Sequence, residues 1–431
     1  MLVASIAGMV GVGLADRCMA GPTSALEAAP AAVVDISPES LRRVLAGTVD
    51  PRFLRDLKYH CFGTYRASPA AQESACKVVG QGLARERHGS VRWFRLESVY
   101  AFAKLRAGSS AVPPGCSAYW ALFSQGPTVP APEIRAVLGE SVNDLTFAVL
   151  SLRKGEPDTY REQISNAMGA AFARWLAMEH EAPGPGDPPD WLSVFRRVEF
   201  PRQACDAAQT LVDSAEPLDS PSVLSGLAAA LADVQYDNSV EWVKQAIALV
   251  PSSDISAKVR LYRDVVSICD YANKKDEALA FQNECVAVTG HGRANLLRMY
   301  LAPGDHVKLS AVVEELKSPL MAESEVTECI DMLEAQCDTP AGRDRFGGGL
   351  DALVTSYLAP ERPRSMAGEL HARMALAQVL TDNGDVRRAL SLLDEVKTGG
   401  HSASLDEAAL STSLLSMRGE LRSSVAPGGS K

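Results

Sequence analysis

The sequence predicts an all-α protein, with a helical N-terminal module followed by an α-solenoid of helix hairpins. Alanine and leucine are plentiful while aromatics make up only 6% of the 431 residues, a balance that favours closely packed helices. Apolar residues recur at helical spacing, as in Leu370, Met374, Ala377 and Leu380. Asp382-Asn383-Gly384-Asp385 then supplies residues that stop one helix and cap the next. A second helix carries Val386, Ala389, Leu390, Leu393 and Val396 on one face. Two helices joined by so short a turn pack antiparallel, which makes 365–397 a hairpin.

Leu2–Leu14 is apolar and uncharged. It is too short to span a bilayer, and suits a signal-peptide core with cleavage near Cys18-Met19-Ala20, although the usual basic residues ahead of it are missing. Residues 1–20 are assigned to that signal, which places the protein in a secreted or periplasmic setting, or in the cytoplasm if the stretch is no signal. Residues 21–36 form an Ala/Pro-rich lead-in.

The N-terminal module covers 37–215. Ser37-Pro38-Glu39 opens its first helix with a cap, a first-turn proline and a first-turn acid. Further helices are expected near 51–66, 69–87 and 91–107, the last holding Trp93, Phe94, Leu96, Tyr100, Phe102 and Leu105. Prolines and glycines make 108–132 loop-rich, with one short helix around 118–123. Helices near 133–153 and 157–180 precede the linker 181–190 (EAPGPGDPPD), and two short helices fit within 191–212.

From 222 to 422 the chain reads as hairpins at 222–249, 254–288, 292–317, 322–358 and 365–397, then a capping helix at 404–422. Residues 423–431 form a polar tail expected to be disordered.

The formal net charge of −10 disfavours nucleic acid as the main partner. Leu41–Ala107 nevertheless carries thirteen Lys/Arg against five Asp/Glu. Arg85, Arg87, Arg92, Arg95, Lys104 and Arg106 form its basic patch, a candidate contact for the acidic remainder or for an anionic envelope component.

Nine cysteines are present without a C-x-x-C pair, so no zinc site is indicated. Cys329 and Cys337 are eight residues apart on one expected helix, about 12 Å along its axis and too far to bridge. Cys269 and Cys285 fall on the two helices of one hairpin, and Cys61 and Cys76 flank a turn; these four are the candidates for disulfides in an exported chain.

The hairpins resemble tetratricopeptide-like repeats, which place a small residue midway along the first helix and another twelve residues later. Ala377 with Ala389 has that spacing, as do Val266 with Ala278, where Tyr262 takes the aromatic position, and Leu227 with Ser239, followed by Pro251. Trp is absent from the aromatic position, and Gln282 stands at a usual apolar site. The resemblance implies a superhelical scaffold that binds proteins or peptides on its concave face. It selects Arg260, Arg263, Ser267 and Asp270 on one first helix, and His371, Gln378 and Thr381 on another.

No catalytic residues are identified. G-x-S-x-G, the phosphate-loop order and H-E-x-x-H are all missing, and Gly347–Gly349 is read as a flexible connection. No cofactor or metal is called for. The alternative to a non-catalytic scaffold is an α/α-toroid carbohydrate-active enzyme, for which Trp120 and Trp191, bordering loops, would be the sugar platforms, while Trp93 and Trp175 are core. The expected partner is a protein or peptide, and the protein is not an integral membrane protein.

Overall fold

The computed structural model describes residues 37–46, 51–58, 68–106, 112–125, 130–150, 160–183, 188–214, 216–301, 304–396 and 405–425. The fold is all-α, and no strand occurs among the described residues. The chain divides into two compact units, residues 1–274 and 275–431. The division falls inside the hairpin expected at 254–288, so the start of the expected array, at 222, lies in the first unit. The proposed signal, the lead-in, Cys61 and most of the tail lie outside the described residues.

The first unit contains α1 (Pro38–Ala46), α2 (Pro51–Asp56), α3 (Pro69–Leu83), α4 (Val91–Arg106), α5 (Val112–Ser124) and α6 (Pro132–Leu150). It continues with α7 (Arg161–Glu181), α8 (Trp191–Val198), α9 (Arg202–Asp213), α10 (Pro221–Leu231), α11 (Tyr236–Leu249) and α12 (Ile255–Tyr271). Ser68 and Ser220 cap α3 and α10 ahead of a first-turn proline, and Asp190 and Asp254 cap α8 and α12. Helix α4 is central because α3, α5 and α6 all pack on it. It buries Trp93, Phe94, Leu96, Val99 and Phe102, each contributing about 1.5–3 kcal/mol on the transfer scale.

The expected loop at 108–132 is shorter than the sequence suggests, because α5 begins at Val112 and runs through Pro113, Pro114 and Gly115. Prolines in a first turn lose no helical hydrogen bond. Gly115 is required there: a Cβ would stand 2.7 Å from the Leu105 backbone, so α4 and α5 meet almost backbone to backbone. Further on, Phe172 and Trp175 of α7 form one aromatic cluster with Trp191 and Phe195 of α8. Gly226 of α10 leaves room for it, since a Cβ would lie 2.4 Å from the Trp175 ring. Trp191, read as a loop-border residue, is therefore core, at 2% exposure, whereas Trp120 is 48% exposed.

The second unit contains α13 (Lys275–Thr289), α14 (Arg293–Leu301), α15 (His306–Leu316), α16 (Glu323–Gln336) and α17 (Pro340–Tyr357). It ends with α18 (Met366–Asp382), α19 (Val386–Asp394) and α20 (Leu405–Val425). The pairs α14/α15, α16/α17 and α18/α19 are hairpins, and α14, α16, α18 and α20 pack in sequence, each on the next. One core runs through the stack from Ala294 to Leu421, the arrangement expected when no hairpin buries its apolar stripe alone. The α18/α19 hairpin has the tetratricopeptide-like register: Ala377 and Ala389 are fully buried, Gly384 takes φ +82°, and Asp385 accepts from the Arg388 amide at 3.3 Å.

Gly347–Gly349 is not a connection but lies inside α17. Each glycine costs about 1 kcal/mol of helix propensity, and burial of Phe346, Leu350, Leu353, Val354 and Tyr357 outweighs that cost. Gln282, at its apolar-type site, is buried and satisfied, donating to the Gly292 carbonyl at 2.8 Å.

Candidate functional site

The first turn of α16 anchors its neighbours on both sides. Glu325 accepts from the amides of Gly292 and Arg293, each at 2.8 Å, and so caps the start of α14. Glu323 accepts from the Ser365 amide at 3.0 Å and the Ser365 hydroxyl at 2.6 Å, at the start of α18. The Tyr357 hydroxyl donates to the same carboxylate at 2.7 Å. Carboxylates at helix starts meet unsatisfied amides and the positive end of the dipole, so both charges are stabilised where they sit. Burial works against Glu323, but these donors and Arg362 together hold its carboxyl below the usual range.

Arginines serve the opposite ends. Arg362 donates to the Leu316 carbonyl at 3.1 Å, and Arg373 to the Leu392 carbonyl at 2.9 Å, closing α15 and α19. In the first unit, Arg92 donates to the Leu45 carbonyl, Arg135 to the Met178 carbonyl and Arg174 to the Gln125 carbonyl. These contacts fix where each helix ends, and with it the row of side chains that its free face presents.

In the second unit that row is carried by α16 and α18. His371, Gln378 and Thr381 are all half-buried on one stripe of α18. His371 Nε2 meets Asp331 Oδ1 of α16, Gln378 donates to Asp382 at 2.9 Å, and Thr381 bonds back to the Ala377 carbonyl at 2.7 Å. Glu334 lies one turn beyond Asp331; burial pushes its carboxyl up to about 6, with Asp331 and Asp338 adding and His371 opposing.

In the first unit, α12 presents Arg263 and Asp270 to solvent and half-buries Arg260 and Ser267. Leu261, Val265 and Ile268 occupy its opposite, core side. Beside them Asp264 accepts from Ser225 Oγ of α10 at 2.7 Å. Burial pushes the Asp264 carboxyl up to about 7; Asp190 adds to the rise, while Ser225, Arg260 and Arg263 oppose it. Sequence reasoning missed Asp264, Ser225, Asp331 and Glu334. A repeat register assigned to 322–358 would have placed Asp331 on the first-helix face.

The basic patch does not stay together. Arg92 pairs with Glu86 at 2.8 Å besides capping α1. Lys104 lies over Tyr100, and Arg106 over Phe102 and Phe147, at the far end of α4. Arg92 and Arg106 are fourteen residues apart, about 21 Å along the helix. Arg85 and Arg87 are exposed in the turn before α4, and Arg95 is half-buried.

Cys76, Cys269 and Cys285 are thiols in this structure, not members of disulfides. The Tyr236 hydroxyl donates to Cys269 Sγ at 3.3 Å, and Cys285 Sγ lies 3.7 Å from Thr289 Oγ1. No group of three or more metal-ligating side chains occurs among the described residues, and no helix there is long and apolar enough to cross a membrane. The polar rows described above can hydrogen-bond and pair charges with a bound chain.

No family model matches the sequence, and no curated protein matches it. Among solved structures the chain is similar to the yeast Tom70 crystal structure, at 13% identity and a TM-score of 0.29, over 90% of this chain and 93% of that one. The helices and buried register of this chain carry its fold assignment by themselves.

Proposed function

We propose that the protein is a non-catalytic helical-repeat scaffold that binds protein or peptide partners through the free face of its first helices. The observation that carries this reading is the side-by-side packing of α14, α16, α18 and α20, which turns single helix faces into one continuous surface. Helix α12 offers a second surface of the same kind, through Arg260, Arg263, Ser267 and Asp270. Stacked hairpins commonly serve recognition in this way, because the scaffold is rigid and the surface long. The apolar Leu2–Leu14 stretch supports an extracytoplasmic setting for the interaction. Contact with an anionic envelope component falls to Arg85 and Arg87, which are exposed together in the turn before α4. The toroid-enzyme alternative draws no support from Trp191, which is core.

The test is recovery of partners on immobilised full-length protein from the native extract. Arg263→Glu combined with Asp270→Lys should deplete proteins that the wild type recovers, while leaving the melting curve in place. Recovery of the same proteins in the same amounts would refute the assignment for α12.

A further inference from the structure

The α16–α18 joint brings together groups whose charges change in mild acid. His371 of α18 meets Asp331 of α16 directly, and both side chains are about three-quarters buried, at 25% and 24% exposure. Glu334 follows one turn on along α16, and its carboxyl interacts with His371, Asp331 and Asp338, the last an exposed residue just past the helix end. Charges on the other elements packed against α18 are engaged elsewhere. Arg343 of α17 lies 3.9 Å from Asp382, and Asp351 of α17 pairs with Arg388 of α19 at 2.6 Å. Arg418 and Arg422 of α20 both pair with Asp394 of α19. Glu369 and Arg373, on α18 itself, pair with one another at 3.0 Å, and Arg373 reaches Glu395 of α19 at 2.8 Å. Arg387 of α19 is exposed. Arg343 also reaches the end of α16, donating to the Cys337 carbonyl at 3.2 Å, so the imidazole is the titratable cation beside Asp331 and Glu334 and Arg343 is a fixed one further along.

We propose that this joint is a pH-sensitive contact that tightens in mild acid and loosens as the pH rises past neutrality. The proposal needs no bound partner and does not depend on the binding role given above.

Two effects act in the same direction. An imidazole changes charge between about pH 5 and 8, and only its protonated form makes a charge-assisted pair with Asp331. Glu334 is the second group. Its carboxyl stands at about 6 in the folded chain, raised mainly by burial. A raised carboxyl contributes stability that is present below its unfolded value and lost as the pH climbs through the folded one. On the alkaline side the joint therefore holds a neutral imidazole beside ionised, half-buried Glu334 and its acidic neighbours. On the acid side it holds an imidazolium–carboxylate pair and a neutral Glu334. Hairpins of a stacked array open locally, so such a change is expected in the protection of α16 and α18.

Hydrogen exchange on the full chain tests this, with rates corrected for the intrinsic pH dependence of exchange. Amides of α16 and α18 should lose about tenfold in protection between about pH 5.5 and about pH 7.5, the ratio that one pK unit of linked protonation gives. His371→Gln should remove the imidazole's part of that dependence and so reduce the slope, while α10 and α11 behave alike in both proteins. Equal protection at the two pH values in the wild type, or an unchanged slope in His371→Gln, would overturn the proposal. Should that variant fail to fold, Glu334→Gln keeps the His371–Asp331 contact and should reduce the slope. A His371 ring-proton titration in the wild type should then show an inflection between about pH 5 and 8. A slope unchanged by Glu334→Gln, or a ring that does not titrate in that window, would contradict it.

Discussion

The N-terminal unit buries the carboxylates Glu97 and Asp144 in the middle of helices, whereas the C-terminal unit sets Glu323 and Glu325 at a helix start. Lys58, 2% exposed, pairs with Asp144 of α6, lies 3.2 Å from Ser98 Oγ and 3.5 Å from Glu140, and faces the Phe102 ring. Ser98 and Ser141 bond at 2.7 Å beside it, and Glu97 of α4 is buried close by in sequence. Glu323 and Glu325 instead sit at the starts of neighbouring helices, where backbone amides solvate them. The contrast teaches that a repeat array can place acids where its own dipoles stabilise them. A non-repeating module must bring in a counter-charge from a distant stretch of chain. The pair in the first unit is expected to be brittle and the caps in the second to be graded.

The largest expected effect breaks the first pattern. Lys58→Ala should cost about 3–5 kcal/mol in chemical denaturation, because it strands Asp144 in the interior. Replacing the pair together, with Lys58→Met and Asp144→Leu, should leave stability near the wild-type value or above it. If the double variant is as unstable as the single one, the pair contributes more than mutual compensation.

Next is the pH dependence of the same unit. Burial pushes the Glu97 carboxyl up to about 7. Stability linked to it is present in acid and lost as the pH rises through that value, by at most about 3 kcal/mol. Glu97→Gln should flatten the unfolding free energy between about pH 4.5 and 7. A profile with the wild-type slope would assign the dependence to other groups.

Helix-end charges should give smaller losses. Glu325→Ala removes a carboxylate from two amides at the start of α14 and should cost about 1.5–3 kcal/mol. The loss of hydrogen-exchange protection should concentrate in α14. A loss spread evenly over the whole unit would mean the contact is not a local cap. Ala389→Trp, at the fully buried small position of α19, should cost about 1–3 kcal/mol by overpacking, and an unchanged melting curve would show the register is wrong. At the bottom of the scale, Arg85→Ala with Arg87→Ala should change stability by less than about 0.5 kcal/mol, as exposed sites usually do.

The sequence was most informative where the signal was local. The Asp382–Asp385 turn, the Ala377/Ala389 spacing and the serine and aspartate caps needed only neighbours within one hairpin, and the structure has them as read. Pro113-Pro114-Gly115 looked like a loop because its composition is that of one, although prolines in a first turn are compatible with a helix. Gly347–Gly349 misled for the related reason that propensity yields to the burial around it. Lys58 gave no warning, since its partners Ser98 and Asp144 lie on other helices. Trp191 sits next to a proline-rich linker and still points inward, because Phe172 and Trp175 arrive from a helix ahead of that linker. Of the candidate binding residues, the first-helix spacing placed His371, Gln378 and Thr381 on one stripe. It gave no sign that Asp331 would already engage His371.

The central claim is that partners meet the first-helix face, and site-specific photocrosslinking in the full chain tests it most directly. A crosslinker in place of Arg263 on α12 or Gln378 on α18 should capture partner protein from the native extract. Crosslinkers in place of Glu241 on α11 or Arg387 on α19, both exposed on second helices, serve as controls and should capture little. Equal capture from the second-helix positions, or capture from those alone, would contradict the account.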